Sequence, residues 1–278
     1  MSTSSPPAER TSRRPSGIVR FIAPLALGAL ALALWQWEVD RRETPDYVLP
    51  SPARIAQVFA SAESRTTLFS AWQVTVKTAG LALLAAAIGG SALAIGLASS
   101  RLLELSLFPY AVVLQVTPLV AVAPLIVIWV GMEHTQLIWL ICAWIVAFFP
   151  ILANTTTGLR SVDEDLRDLF RALNASWFDR LRLLLLPTAA PYFLTGLKVS
   201  ANLSLVGAVV AEFTTGAAVD QPGLASVLFD AQYRLDVPMM FAALALIALT
   251  GIAFYYAVHL TGYFLLRRWH DSYLPLQR

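Results

Sequence analysis

The residue types that most often bind metals or carry out catalysis are few and scattered in this chain. The three histidines, His134, His259 and His270, have no carboxylate or cysteine at the spacing of a metal site or a nucleophile–base pair. The one cysteine, Cys142, lies within an apolar run, which favours a packing role and allows no disulfide within the chain. We therefore predict no metal site and no catalytic residues, and the chain is not expected to be an enzyme.

The motifs of ATP-hydrolysing and proton-driven proteins are also lacking. The sequence contains no G-x-x-x-x-G-K-[ST] motif, so we expect no phosphate-binding loop with which the chain could hydrolyse ATP. Paired acids within apolar runs, which proton-driven carriers use, do not occur either. Glu212 is the one acid near a predicted span, and we place it close to the outer end, where a partner or water satisfies it.

The composition indicates a membrane protein. Of the 278 residues, 57% are hydrophobic and 14% are charged, and the mean hydropathy is +0.64. These values lie outside the range of soluble domains, and several apolar runs reach the about 20 residues that cross a bilayer. The net charge of +2 is too small to indicate a nucleic-acid partner. The predicted fold class is all-α, a polytopic membrane protein with about six transmembrane helices.

The predicted domain that carries these spans covers residues 17–270 and lies between two tails. Residues 1–16 are rich in Ser, Pro and Arg, which predicts a disordered tail, and residues 271–278 form a short C-terminal tail. The first apolar run has no convincing cleavage site, so we interpret it as an uncleaved span rather than a signal peptide. The predicted spans cover residues 18–37, 74–98, a run that ends at residue 130, and residues 136–157, 193–213 and 238–266.

Glycines and prolines predict how two of these spans pack. The second span contains Gly80, Gly89, Gly90 and Gly96, which favours close approach of neighbouring helices. Three prolines interrupt the third run, which predicts a kinked or broken helix of the kind that flanks transport pathways. Among other features, Ser51 before Pro52 predicts the start of a short surface helix, and residues 214–237 predict a polar loop.

A charged segment, residues 161–187, separates the fourth and fifth predicted spans. Its apolar residues follow the i, i+3, i+4, i+7 spacing of one helix face: Leu166, Leu169, Phe170 and Leu173. Ser161 with Glu164 predicts a capping box at the start of this helix. Asn174 predicts a left-handed turn that ends it.

A second short helix is predicted after that turn. Ser176 with Asp179 predicts its N-cap, residues 181–186 continue it, and Pro187 is expected to stop it. The charged segment is therefore predicted to be a bent pair of amphipathic helices.

At these residues the sequence resembles the permease subunits of type I ABC importers. Their signature reads Glu-Ala-Ala, three residues, Gly, nine residues, then Ile-x-Leu-Pro, and residues 168–170, Asn174, Leu184 and Leu186–Pro187 keep both spacings. Residues 48–59, residues 112–131 and the Gly223–Leu224 pair resemble the nitrate, sulfonate, taurine and thiamine-precursor permeases of that family. The resemblance implies the type I ABC importer permease fold and contact between the charged segment and an ATPase. The implied contact residues are Asp168, Leu169, Phe170, Leu173, Asn174, Ala175, Leu186 and Pro187.

The resemblance also implies partners. These are a second permease subunit, which we expect to be a copy of this chain, two cytoplasmic ATP-binding subunits, and an external solute-binding protein. This chain binds no cofactor on that view, and ATP with Mg²⁺ binds to the ATPase subunits. Candidate residues that line the pathway are Gln115, Thr117, Asn202 and Ser204, although Gln115 and Thr117 could instead bond the loosened helix backbone.

The distribution of arginines predicts the orientation in the bacterial inner membrane. With both termini and the charged segment in the cytoplasm, thirteen arginines lie inside and five lie outside, which fits the positive-inside rule. Lys77 and Lys198 are placed near span ends, where they can snorkel.

The sequence leaves the solute open. The subgroup allows nitrate, sulfonates, taurine, thiamine-precursor pyrimidines and riboflavin-like molecules. The apparent lack of a cation at mid-membrane depth, together with abundant aromatic residues, favours a flat heterocycle. A secondary active transporter that works without an ATPase is the alternative function, and it would need ionisable residues within the spans.

Overall fold

The computed structural model describes residues 17–216 and 219–266, and both predicted tails lie outside the described residues. Every regular element in these two ranges is a helix, which confirms the all-α prediction. The α-helices are α1 (Gly17–Arg41), α2 (Pro52–Ala60), α3 (Ala62–Ser99), α4 (Arg101–Val116), α5 (Leu119–Val130), α6 (Thr135–Arg160), α7 (Glu164–Ala172), α8 (Trp177–Arg180), α9 (Leu186–Thr215), α10 (Leu224–Tyr233) and α11 (Val237–Leu266). A 3₁₀ turn at Met132–His134 precedes α6, and a π-helical turn at Leu181–Leu185 joins α8 to α9.

The predicted number of spans is confirmed. Five helical stretches are long and apolar enough to cross a membrane, and α4 with α5 makes a sixth if the bent pair counts as one span. These two helices meet at an angle of 101°. The break lies at Thr117 and Pro118, because a proline disfavours helical geometry in the residue before it. The expected broken third span is therefore observed, whereas Pro109 and Pro124 lie inside its two helices.

Helices α6 and α9 pack backbone against backbone at the centre of the bundle. A Cβ atom built on Gly196 would lie 2.6 Å from the carbonyl oxygen of Pro150, and one on Gly207 would lie 2.7 Å from the Cα of Ala143. The hydroxyl of Ser200, between these glycines, donates to the carbonyl of Ala147 at 2.5 Å. Small residues thus bring the two backbones into direct contact, as membrane helices require for tight association.

The second span packs closely at fewer glycines than the sequence predicted. A Cβ on Gly90 would lie 3.1 Å from Ile151, but Cβ atoms on Gly80 and Gly96 would meet no described atom within 4 Å. Within the described chain, close packing is therefore observed at Gly90 and not at Gly80 or Gly96. At 3.6 residues per turn, Gly80 and Gly90 point about 80° apart around the helix axis, so one neighbour cannot contact both.

The predicted polar loop at residues 214–237 contains helix α10, so the loop prediction was wrong. Three of its residues repeat at helical spacing and pack against α3 and α11, namely Leu224, Val227 and Leu228. Ala231 continues that spacing and is buried. The polar residues on both sides of this short stretch concealed its periodicity.

Glu212 joins three helices at this end of the bundle. Its side chain is fully buried; the Thr75 hydroxyl donates to its Oε1 at 2.8 Å, and the backbone N–H of Ala225 donates to its Oε2 at 2.7 Å. The N–H of Leu224 in turn donates to the Thr75 hydroxyl at 2.8 Å. The prediction that a partner near the span end satisfies Glu212 is confirmed, and that partner is the N-terminus of α10, where a carboxylate is favourable.

The placement of Lys198 near a span end was wrong. Helix α9 begins earlier than predicted, so Lys198 lies near its middle and is half-buried. Lys77 lies beside Gln136, at the beginning of α6, which agrees with its predicted position near a span end.

The α6–α9 contact generates the first prediction. Replacing Gly196 with Ala should lower the free energy of unfolding by about 1–3 kcal/mol, because the added methyl group must push the Pro150 backbone away. The measurement is the apparent melting temperature of the purified chain in detergent. Gly80→Ala is the matched control and should leave that temperature unchanged or slightly raised, because alanine favours helix where space is open. Equal melting temperatures for the two variants would contradict the assignment of this contact.

Candidate functional site

The charged segment begins with a different cap from the one predicted. Helix α6 continues through Arg160, so Ser161 ends α6 and its hydroxyl donates to the Gly158 carbonyl at 3.0 Å. Asp163 is the N-cap of α7, and its carboxylate accepts from the N–H of Asp165 at 2.9 Å. The capping-box prediction with Ser161 was therefore wrong. Asp163 is also a favoured N-cap residue type, and this was the available signal.

The turn at Asn174 is as predicted. Its φ angle is +50°, in the left-handed region. The N–H of Asn174 donates to the Arg171 carbonyl at 2.9 Å, and the N–H of Ala175 donates to the Phe170 carbonyl at 3.0 Å. These two bonds form a Schellman motif, which satisfies the free carbonyls at the end of α7 and reverses the chain toward α8.

The second helix of the segment does not stop at Pro187. Its start is as predicted, because the Ser176 hydroxyl accepts from the N–H of Asp179 at 3.1 Å. From there α8 passes through the π-helical turn into α9 as one apolar stretch, Trp177–Thr215. The N–H of Leu186 donates five residues back to Leu181. Pro187 occupies the first turn of α9, where its missing N–H breaks no hydrogen bond.

Polar contacts join the base of the segment to α6, and α6 in turn to α4. The guanidinium of Arg167 donates to the carbonyl of Arg160 at 2.8 Å. Glu104 on α4 pairs with Arg160 on α6 and with Arg101, the latter at 2.7 Å. Leu184 of the π-helical turn is buried. The segment is therefore fixed to the bundle at its base.

The apolar face of α7 remains largely uncovered. Leu166, Leu169 and Leu173 are 46%, 51% and 68% exposed, whereas Phe170 is half-buried. Trp177 and Phe178 at the start of α8 are exposed beside them. An apolar patch of this kind, rimmed by charged residues, is typical of a protein interaction surface.

The residues predicted to contact an ATPase differ in exposure. Five of them are exposed, namely Asp168, Leu169, Leu173, Asn174 and Leu186. Phe170, Ala175 and Pro187 are half-buried. Asp168 is paired with Arg171 at 2.8 Å, so the charged face is ordered within the helix itself.

Residues 72–271 match the family described as binding-protein-dependent transport system inner membrane component. This chain belongs to that family. Members are permease subunits of ABC importers rather than enzymes, so the chain is a multi-pass inner-membrane permease subunit.

Among curated relatives, the permease is 36% identical to a riboflavin transport system permease protein of Chloroflexus aurantiacus, over 96% of this chain and 98% of the relative. It is 31% identical to a putative aliphatic sulfonates transport permease protein of Bacillus subtilis, over 90% and 88% of the two chains. A formylaminopyrimidine transport permease protein of Halalkalibacterium halodurans is 29% identical over 80% and 86%.

The fold of the permease matches a solved ABC importer. A chain of the MetNI methionine ABC transporter, solved in inward-facing conformations, aligns with a TM-score of 0.57 and 15% identity, over 74% of this chain and 98% of that chain. The type I ABC importer permease fold is thereby confirmed. Because the chain belongs to a family of importer permeases, the alternative function, a secondary carrier that works without an ATPase, is not favoured.

The four candidate pathway residues of the permease differ in exposure and in hydrogen bonding. Gln115 and Asn202 are exposed on α4 and α9, respectively. The Thr117 hydroxyl donates to the Val113 carbonyl at 2.7 Å, which is the backbone-bonding alternative. Ser204 is buried and donates to the Ala201 carbonyl at 2.9 Å.

The observed cap generates the second prediction. Asp163→Ala should destabilise the first turn of α7 by about 0.5–2 kcal/mol, because the N–H of Asp165 loses its acceptor. Amide hydrogen exchange, read by mass spectrometry on peptides that cover residues 164–172, should become several-fold faster. Ser161→Ala serves as the control and should leave exchange in that peptide unchanged. If exchange became faster only in the Ser161 variant, that result would support Ser161, and not Asp163, as the cap of α7.

Proposed function

We propose that the charged segment of this permease docks on a separate ATPase subunit and transmits its movement to the spans. The observation that carries this proposal is the exposed apolar face of α7 on a segment whose base is hydrogen-bonded to the bundle. A segment that only capped the spans would bury that face. Its proposed contact residues are Asp168, Leu169, Phe170, Leu173, Asn174, Ala175, Leu186 and Pro187.

The proposed assembly contains two copies of this permease, two ATP-binding subunits and an external solute-binding protein. ATP and Mg²⁺ would bind to the ATPase subunits and not to this chain. Closure of the ATPases on ATP would displace both charged segments. Because α8 runs without a break into α9, and α9 contacts α6 backbone to backbone, a displaced segment would carry both helices with it.

The proposed orientation places the charged segment and both termini in the cytoplasm of a bacterial cell. Thirteen arginines of the sequence then lie inside and five outside. Within the described residues, the arginines at the end that bears the segment are Arg101, Arg160, Arg167, Arg171, Arg180 and Arg182. In this orientation α10, which covers the buried Glu212, lies at the end of the bundle that faces the solute-binding protein.

We further propose that Gln115 and Asn202 line the solute pathway. Both side chains are exposed, and Gln115 lies two residues before the break between α4 and α5. Broken helices expose backbone polar groups that membrane proteins place along cavities. Thr117 and Ser204 would shape this wall through their bonds to the helix backbone.

For the solute, we favour a flat heterocycle of the riboflavin type over nitrate, sulfonates or taurine. The support is the 36% identity to a riboflavin permease over nearly the whole of both chains. Exposed aromatic residues on the spans, such as Trp129 and Tyr256, offer stacking surfaces. The argument from a missing mid-membrane cation no longer applies, because Lys198 lies near the middle of α9.

The third prediction concerns coupling. Asn174→Val should uncouple ATP hydrolysis from uptake, because a β-branched residue is strongly disfavoured at a φ angle of +50°. The measurement is the ratio of solute uptake to ATP hydrolysis in proteoliposomes that contain the full importer. Asn174→Gly retains the turn and should retain the ratio. Normal solute-stimulated hydrolysis with normal uptake in the valine variant would refute the role of this turn.

The fourth prediction concerns the solute. Proteoliposomes that contain the importer and its solute-binding protein should accumulate radiolabelled riboflavin when supplied with ATP, and should not accumulate taurine. Riboflavin uptake should stop when the ATPase subunits are omitted, because this chain has no phosphate-binding loop. ATP-driven taurine uptake without riboflavin uptake would overturn the assignment of the solute but not that of the importer. Uptake by the permease alone would overturn the importer mechanism.

A further inference from the structure

A cavity of about 500 Å³ lies between the charged segment and the ends of α3, α4 and α6. Its walls carry an unusual number of cationic side chains, namely Arg101, Arg160, Arg167, Arg171 and Arg180. The remaining lining is mostly apolar and includes Trp177, Leu184 and Leu185. Five arginines therefore line one space beside the ends of the membrane spans.

The carboxylates near this space neutralise only some of these arginines. Glu104 pairs with both Arg101 and Arg160, and Asp168 pairs with Arg171. Asp179, the acid next to Arg180, accepts a hydrogen bond from the hydroxyl of Ser176. No ion pair with a described carboxylate involves Arg167 or Arg180.

The two remaining arginines are also short of hydrogen-bond acceptors. The Nε atoms of Arg167 and Arg180 are buried, and neither has a hydrogen-bond partner within the part of the chain that the structure describes. A buried cation without a compensating acceptor is energetically costly. By contrast Arg182, two residues beyond Arg180, is exposed and does not line the cavity. The carboxylates beside the cavity therefore leave part of its positive charge without a counter-ion.

We propose that this cavity is a binding site for a phosphate group, and that an anionic phospholipid headgroup supplies it. Guanidinium groups bind phosphate oxygens through paired, charge-assisted hydrogen bonds, which would engage the unpartnered Nε atoms. Basic pockets at the ends of membrane helices are suited to such headgroups, and the indole of Trp177 suits the membrane interface. Free phosphate carries the same chemistry. The inference rests on the cavity alone and does not depend on ATPase docking.

A bound phosphate would connect α7 and α8 to each other and to the spans. Arg167 lies on α7 and Arg180 ends α8, whereas Arg160 ends α6, so one anion would bridge three helices. The bound group would thus hold the charged segment against the bundle at a point other than its exposed apolar face. Membrane composition could then influence how firmly the segment is held.

The test uses the full chain, purified in a neutral detergent. Native mass spectrometry measures how many phosphatidylglycerol molecules remain bound, with phosphatidylcholine as the neutral comparison. We expect Arg180→Gln and Arg167→Gln each to weaken phosphatidylglycerol binding by about tenfold, the loss expected for a charge-assisted contact. The matched control is Arg182→Gln, which removes the same charge two residues away and should leave binding unchanged. If the Arg180 glutamine variant elutes aggregated, Arg180→Lys keeps the charge, and weakened binding is expected there too, because paired hydrogen bonding is lost.

A second arm separates the two sources of phosphate. Inorganic phosphate is added, and the melting temperature of the wild-type chain is recorded against the Arg180 variant. Stabilisation of the wild type by inorganic phosphate without selective phosphatidylglycerol binding would support the phosphate site and assign it to a free anion. Equal retention of both lipids with no effect of phosphate would overturn the proposal. So would variants that lose only their association with an ATPase, since that result assigns the arginines to a carboxylate of the partner protein.

Discussion

The direct backbone contact between α6 and α9 is the constraint on which the rest of this structure depends. In a bilayer, lipid tails are as apolar as leucine, so association of helices relies on close packing and on hydrogen bonds between them. Gly196 and Gly207 permit that packing, and Ser200 adds a hydrogen bond across the interface. Because the charged segment connects these same two helices, its ends are held at a fixed separation.

At the end of the bundle opposite the charged segment, buried polar groups are also bonded to protein partners. A buried carboxylate away from water must be satisfied by protein donors. Glu212 meets this condition through Thr75 on α3 and the N-terminus of α10. The indole of Trp139 similarly donates to Thr215 at 2.9 Å, one turn beyond Glu212 on α9. The bonds of Thr75 and Glu212 attach the short helix α10 to the spans, and the bond of Trp139 joins α6 to α9 at the same end.

The charged segment is a structural link with three separate surfaces. Its base bonds to α6, its apolar α7 face remains open, and the arginine cavity lies between it and the spans. The open face is the surface that we propose for the ATPase of the importer. The arginine cavity is a different feature, because none of the exposed leucines of α7 lines it. A partner and a phosphate group could therefore act on the segment at the same time.

Local patterns in the sequence determined the elements whose signals lie within a few residues. The spans follow from long apolar runs, and the turn at Asn174 follows from the few residue types that tolerate a positive φ angle. The broken third span follows from Pro118, which restricts the residue before it. The importer class was predicted from the resemblance of the charged segment to the permease family, and the family match confirmed it.

Only the tertiary structure decided which local signals were used. Both Ser161 and Asp163 could cap α7, and the length of α6 selected Asp163. Pro187 could have ended a helix, but the π-helical turn placed it where no N–H was needed. Which glycines lie in contact and which arginines share a cavity depends on how helices distant in sequence pack together. Those positions are fixed by sterics and electrostatics between elements, and no short stretch of sequence contains that information.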